Sequence, residues 1–81
     1  MNITRDLESK GWKIDKFKNS GIIAERQSTG KLAFFINSNK KMNKTELMRI
    51  WNKGYHPFTY TIENDIIKYY DALFCEEVRF P

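Results

Sequence analysis

The sequence predicts an α+β domain in which helices pack on a three-stranded antiparallel sheet, in the order α-β-β-β-α, with a C-terminal extended or helical extension. Its 81 residues are enough for one domain and too few for two. With 41% hydrophobic and 30% charged residues, the chain can form a small core and lacks the composition of a disordered protein. Apolar residues recur at helical spacing on both sides of a central region in which they alternate, and this order predicts the fold.

The first helix is predicted at the start of the chain. Thr4 is a candidate N-terminal cap, and Ile3 and Leu7, four residues apart, share one helical face. Gly11 ends the helix, because glycine readily adopts the left-handed conformation that follows a helix.

Three strands are predicted next, as antiparallel neighbours. In the first, Trp12 and Ile14 share a face, whereas Phe17 falls out of phase, which indicates a bulge or a strand end. In the third, Phe34 and Phe35 fall on opposite faces, as is typical of a strand covered on both sides. The strands are residues 12–18, 22–27 and 31–36, separated by turns at 19–21 and 28–30.

A second helix is predicted to start at Asn43, which forms a capping-box pattern with Glu46, and to end at Gly54. Its apolar stripe is Leu47, Met48, Ile50 and Trp51. A short alternating strand is expected after it, and Asn64 is a candidate cap for a third helix. The apolar residues of that strand are Phe58, Tyr60 and Ile62, and those of the third helix are Ile66, Ile67, Tyr70, Leu73 and Phe74. Residues 76–81 are predicted to be extended.

Charge is unevenly distributed along the chain, although the formal net charge is only +4. Residues 10–53 carry eleven basic and three acidic side chains, whereas residues 54–81 carry two basic and five acidic ones. We therefore divide the single domain into a basic body, 1–54, and an acidic C-terminal extension, 55–81. A basic body favours a polyanionic partner, and solubility alone is the alternative explanation.

Five lysines form the candidate nucleic-acid-binding site. Lys40, Lys41 and Lys44 cluster at the start of the second helix, where the helix dipole is already positive and exposed N–H groups bind anions. Lys16 and Lys18, at the end of the first strand, form a second candidate patch. Lysines of this kind contribute affinity and salt dependence without reading bases, so either RNA or DNA fits. The alternatives are that Lys40, Lys41 and Lys44 lie in a solvated loop, and that Lys16 and Lys18 protect an edge strand from aggregation.

The order of elements and the run Lys40-Lys41-Met42-Asn43-Lys44 resemble the double-stranded-RNA-binding domain, whose second helix starts with lysines that contact phosphates. Leu7-Glu8-Ser9-Lys10-Gly11-Trp12 and residues 47–50 resemble HicA-type toxins, small relatives of that fold that cleave messenger RNA. Gly21 stands near the place of the catalytic histidine of that family. The resemblance implies RNA binding without cleavage, and residues 55–81 match neither family.

Protein binding is the alternative function. Such a protein would be an inhibitor encoded by a phage or mobile element, which binds a host nucleic-acid-binding protein through tyrosines and the acidic extension. The candidate interface residues are Tyr55, Tyr60, Tyr69 and Tyr70. A second copy of the chain is a further candidate partner. For Trp12, Phe34 and Trp51 we expect core packing instead.

No catalytic residue, metal ligand or cofactor site is assigned. The single histidine, His56, is interpreted as a turn residue, and a divergent messenger-RNA-cleaving activity would require it to reach the lysine face. The single cysteine, Cys75, is interpreted as a small buried hydrophobe and excludes a disulfide framework. Acidic side chains of the extension are expected on an exterior surface rather than in a magnesium site. No run is long and apolar enough for a membrane span, so a cytoplasmic protein is expected.

Overall fold

The fold consists of two helices and six strands, seen in a computed structural model that describes residues 2–18 and 21–79. The helices are α1 (Ile3–Ser9) and α2 (Lys44–Asn52). The strands are β1 (Trp12–Lys18), β2 (Gly21–Arg26), β3 (Leu32–Asn37), β4 (His56–Glu63), β5 (Ile66–Asp71) and β6 (Glu76–Val78). All six strands form one sheet in the order β1-β2-β3-β4-β5-β6.

The sheet is mixed, because β3 and β4 are parallel and all other neighbours are antiparallel. Phe35 of β3 lies opposite Phe58 of β4, and α2 is the crossover that a parallel pair requires. The two central strands therefore join a first half built from β1, β2 and β3 to a second half built from β4, β5 and β6.

The predicted fold class is wrong in its sheet, which has six strands of mixed direction rather than three antiparallel ones. The predicted C-terminal extension supplies half of this sheet. The predicted third helix is instead β5 and the turn after it. Asn64 and Asp65 both have positive φ angles, 50° and 62°, so they form a tight hairpin turn and not a helix start. The turn residues Asn19 and Ser20 and the last two residues of the predicted extended end lie outside the described residues.

A β-bulge in β1 confirms the shifted phase of Phe17. Ile14 lies opposite Ala24 and Lys16 lies opposite Ile23, so Asp15 is an additional residue between two consecutive partners in β2. Residues that lie opposite each other share a face of the sheet. Asp15 therefore lets Ile14 and Phe17 face one side, while Lys16 faces the other.

One face of the sheet carries an aromatic core, which α1 covers. The ring of Phe35 lies 5.1 Å from Trp12, 5.2 Å from Phe58 and 5.8 Å from Tyr69, measured between centroids. Offset and edge-to-face contacts of this kind stabilise beyond the burial of area alone. The buried residues of this core are Leu7, Trp12, Ile22, Ala24, Ala33, Phe35, Phe58, Tyr60 and Tyr69.

The helix α1 is fixed at both its start and its middle. Asn2, not Thr4, is its cap: the Asn2 side-chain oxygen accepts a hydrogen bond from the Thr4 N–H at 2.9 Å. In the middle, the Tyr69 hydroxyl donates to the Asp6 carboxylate at 2.5 Å, and Lys10 lies 3.3 Å from the same carboxylate. The hydrogen bond joins α1 to β5 across the core.

The helix α2 lies on the opposite face, and Asn43 caps it as predicted by accepting from the Glu46 N–H at 2.8 Å. Ile50 is half-buried towards the sheet, but Trp51 is 47% exposed. The expectation that Trp51 is a core residue is therefore wrong. It lies at the end of α2, where its ring packs edge-on against His56 at 5.4 Å.

Deletion of Asp15 is predicted to leave the fold intact, because the residues on either side of it already have partners in β2. The loss of unfolding free energy should stay below about 1 kcal/mol, as for a surface change. Deletion of Lys13 in the regular part of β1 forces Trp12 or Ile14 onto the wrong face, which should cost about 3 kcal/mol or more. Urea unfolding of the two deletion variants tests this, and equal losses would contradict the bulge.

Tyr69 should make stability fall at high pH. Burial, and next the hydrogen bond to Asp6, raise the pKa of Tyr69 above its usual range. The unfolded chain therefore releases this proton near pH 10, while the folded chain keeps it. The contribution of Tyr69 to the free energy of unfolding is complete below about pH 10. Above that pH the free energy of unfolding falls by up to about 1.4 kcal/mol per pH unit.

Urea unfolding between pH 8 and pH 11 measures this loss, with Tyr69→Phe as the variant that removes the proton. The difference between wild type and Tyr69→Phe should shrink as pH rises above about 10. Asp6→Asn should keep most of the wild-type pH dependence, because burial is the largest cause. A pH-independent difference for Tyr69→Phe would contradict the assignment.

Candidate functional site

A groove opens between β1 and α2, on the face of the sheet that α1 leaves uncovered. It holds about 290 Å³, close to the lower end of the range for ligand sites, about 300 Å³. Its floor is the surface of β2 and β3, its first wall is the end of β1, and its second wall is α2 with the segments that flank it.

The floor is apolar. Ile23 and Ile36 line it as buried residues, and the half-buried ring of Phe34 lines it with them. Phe34 leans over Gly21, because a Cβ at position 21 would lie 1.8 Å from its Cε1 atom. Tyr55, just before β4, closes the floor beside α2. The floor is therefore an aromatic and aliphatic surface made possible by one residue without a side chain.

Five cations line the walls of this groove. The bulge places Lys16 and Lys18 on the groove side, opposite Ile23 and Gly21. The other wall carries Lys40, which lies in the loop before α2. It also carries Arg49 and Lys53, which are four residues apart and so share one helical face. The acidic residue of the lining is Glu46. The groove thus joins a strongly positive rim to an apolar floor.

The structure brings together three of the five predicted lysines. Lys16, Lys18 and Lys40 line the groove, whereas Lys44 lines a shallow depression with Met48 on the outer side of α2. Lys41 is exposed in the loop before α2 and does not line the groove. The cluster at the start of α2 is therefore divided between two surfaces, because consecutive positions around a helix start point in different directions.

The predicted tyrosine interface is not assembled. Tyr60 and Tyr69 are 8% and 2% exposed in the aromatic core, where strand alternation places them, so neither presents its ring to a partner. Tyr70 is half-buried on the far side of α2, beside Cys75. Of the four, Tyr55 lines the groove.

His56 lies on the opposite face from the lysines. It is the first residue of β4 rather than a turn residue, and its partner Ala33 belongs to the aromatic core. Its Nε2 atom lies 2.8 Å from the Asp71 carboxylate, and its ring stacks on Phe58 at 4.5 Å. The condition for an RNA-cleaving role, a histidine on the lysine face, is therefore not met.

Asp71 gives this histidine a structural role. The second carboxylate oxygen of Asp71 accepts a hydrogen bond from the Leu73 N–H at 2.9 Å and so holds the turn after β5. The pair therefore ties the start of β4 to the end of β5. Cys75 lies in the same turn, exposed and with a positive φ of 57°, which corrects its prediction as a buried helical residue.

Within residues 2–18 and 21–79, no three His, Cys, Asp or Glu side chains are placed to hold a metal ion together. Neither described helix has the length and apolar character needed to cross a membrane.

Arg49, Lys53 and Phe34 are site residues that sequence reasoning did not identify. A signal for the first two was present, since they repeat at helical spacing beside the apolar stripe of α2. Phe34 is predicted to be a core residue, but it is half-buried and lines the groove. No family model, curated protein or solved structure matches the chain.

Gly21→Ala is predicted to disturb the groove through Phe34. The new methyl group would overlap the ring and should cost about 1–3 kcal/mol of unfolding free energy, as overpacking does. In a Phe34→Ala background the same change should cost much less, because the overlapping ring is gone. Urea unfolding of the two single variants and the double variant measures this coupling, and an equal cost of Gly21→Ala in both backgrounds would contradict the contact.

Proposed function

We propose that the protein is a small non-enzymatic nucleic-acid-binding module that holds phosphates in the groove between β1 and α2. The observation that carries the proposal is the placement of five cations around one apolar floor. Cations at this density repel one another, and a polyanion relieves the repulsion. A cytoplasmic location, as expected from the sequence, belongs to this proposal.

Phosphate is the anion that suits these side chains. Four of the cations are lysines, which act as flexible point charges, and Arg49 adds a planar group that can bind phosphate through two hydrogen bonds. Contacts of this kind fix position and supply affinity without reading sequence. The proposed module therefore has strong salt dependence and little dependence on base sequence.

Binding to a protein partner is the second candidate function, and residues other than the predicted tyrosines support it. The buried tyrosines no longer supply it, but Met48 and Phe74 are 39% and 69% exposed and line one apolar surface with Leu47 and Leu73. Exposed aromatic and Met side chains are enriched at protein interfaces. An inhibitor encoded by a phage or mobile element would use this surface to bind a host protein.

The groove is tested by two variants of equal charge. The groove variant is Lys16→Gln, Lys18→Gln and Arg49→Gln, and the control variant is Lys13→Gln, Lys68→Gln and Arg5→Gln, all exposed residues outside the groove. Each removes three positive charges, so the formal net charge falls from +4 to +1 in both. Fluorescence anisotropy with labelled single-stranded RNA, single-stranded DNA and their duplexes over a range of salt concentrations measures binding.

The groove variant should bind more weakly than wild type. The slope of its log affinity against log salt concentration should be shallower by about 2, because each lost phosphate contact on a single strand reduces that slope by about 0.7. The control variant should stay close to the wild-type slope. Equal losses in the two variants would show that net charge alone drives binding. Absence of binding by wild type would overturn the proposal and direct the search to the surface around Phe74.

A further inference from the structure

We propose that the groove takes a single strand of nucleic acid, with its phosphates on the cationic walls and a base stacked on Phe34. This rests on the proposed function and goes beyond the duplex binding that the resemblance to double-stranded-RNA-binding domains implies. Three features of the groove support it: its width, the chemistry of its floor and the spacing of its cations.

The groove is too narrow for a duplex. Its walls stand on β1 and on α2, which packs against β4, and β1 and β4 are three strand spacings apart, about 14 Å. The helix with its side chains takes up about 5 Å of this distance on the side of β1, which leaves about 9 Å between the walls. The major groove of a DNA duplex alone is about 12 Å wide, so the whole duplex is wider than the space between the walls. A duplex could touch the rim and leave the floor empty. A single strand fits between the walls.

The floor has the wrong chemistry for a duplex and the right chemistry for a base. A duplex directs its phosphates outwards and keeps its bases stacked inside, so it offers nothing to an apolar floor beneath cations. A single strand can place a phosphate and an unstacked base at the same time, with the base on an aromatic ring. Phe34 supplies this ring in a lining that also includes Lys18 and Tyr55, and the ring occupies space that a side chain at Gly21 would fill.

The cations form two rows that run along the groove. Lys16 and Lys18 are two residues apart on a strand, so their Cα atoms are about 6.6 Å apart. Lys53 follows the last residue of α2 and its N–H still donates to the Arg49 carbonyl at 3.3 Å, so the Cα atoms of Arg49 and Lys53 are about 6 Å apart along the helix axis. Rows of similar spacing on both walls can hold successive phosphates of one strand that passes between them. A single bound anion would use only part of this arrangement.

One experiment tests both the preference for a single strand over a duplex and the role of the Phe34 ring. Anisotropy is measured for a labelled oligonucleotide, alone and annealed to its complement, with wild type, Phe34→Leu and the matched control Phe17→Leu. Phe17 is 69% exposed and lies on the opposite face of the sheet. A second oligonucleotide carries 2-aminopurine, whose fluorescence falls when the base stacks.

Wild type should bind the single strand at least about tenfold more tightly than the duplex, and Phe34→Leu should weaken single-strand binding about 5- to 100-fold, as expected for the loss of one base–aromatic stack. Duplex binding should stay unchanged in Phe34→Leu, and Phe17→Leu should behave as wild type. Quenching of 2-aminopurine should be strong with wild type and weaker with Phe34→Leu.

Two results would overturn this inference while leaving nucleic-acid binding in place: equal affinity of wild type for single strand and duplex, or tight single-strand binding without 2-aminopurine quenching. Equal effects of Phe34→Leu and Phe17→Leu would likewise remove Phe34 from the site. If Phe34→Leu does not fold, the wild-type affinity ratio and quenching decide alone. Absence of any nucleic-acid binding by wild type is the separate result that overturns the proposed function itself.

Discussion

The ring of Phe35 is the contact on which the rest of the structure depends. It lies on the central strand β3 and packs against Trp12 of β1, Phe58 of β4 and Tyr69 of β5. It therefore joins both halves of the sheet, which meet at the backbone ladder between β3 and β4. Tyr69 extends the cluster to α1 through its hydrogen bond to Asp6. A chain of 81 residues has little area to bury, and concentrating aromatic rings at one point gives it a core.

This core fills one face of the sheet and leaves the other to α2 alone. Six strands extend about 24 Å across the sheet, whereas one helix covers a band about 10 Å wide. A nine-residue helix cannot cover such a surface, so grooves remain on both sides of it. The candidate site is thus a consequence of incomplete cover. What distinguishes the groove beside β1 is that five cations, rather than further apolar side chains, stand around the uncovered floor.

Local patterns predict the parts of this arrangement that local contacts decide. The phase of Phe17 predicts the bulge, and apolar spacing predicts both helices and the first three strands. The cap of α2, Asn43, is also predicted, whereas α1 is capped by Asn2 and not by Thr4. The strand β5 is mispredicted because its apolar residues come in adjacent pairs, Ile66-Ile67 and Tyr69-Tyr70, which fit a helix as well as a strand. Only pairing with β4, a long-range contact, decides between them. The same limit applies to the site: Lys16 is predicted, and Arg49 is missed, because tertiary packing determines which flank of α2 faces the groove.

The bulge at Asp15 connects the stability of the fold with its proposed function. It keeps Ile14 and Phe17 on the core face while turning Lys16 and Lys18 towards the groove. Lysines on an edge strand also discourage pairing with other chains, so the same side chains protect the edge of the sheet. Gathering five cations around a narrow floor nevertheless destabilises the folded chain by mutual repulsion. An anionic strand in the groove would remove that repulsion, and a ligand that binds only the folded state stabilises it. The proposed binding and the stability of the fold are therefore linked through the same five residues.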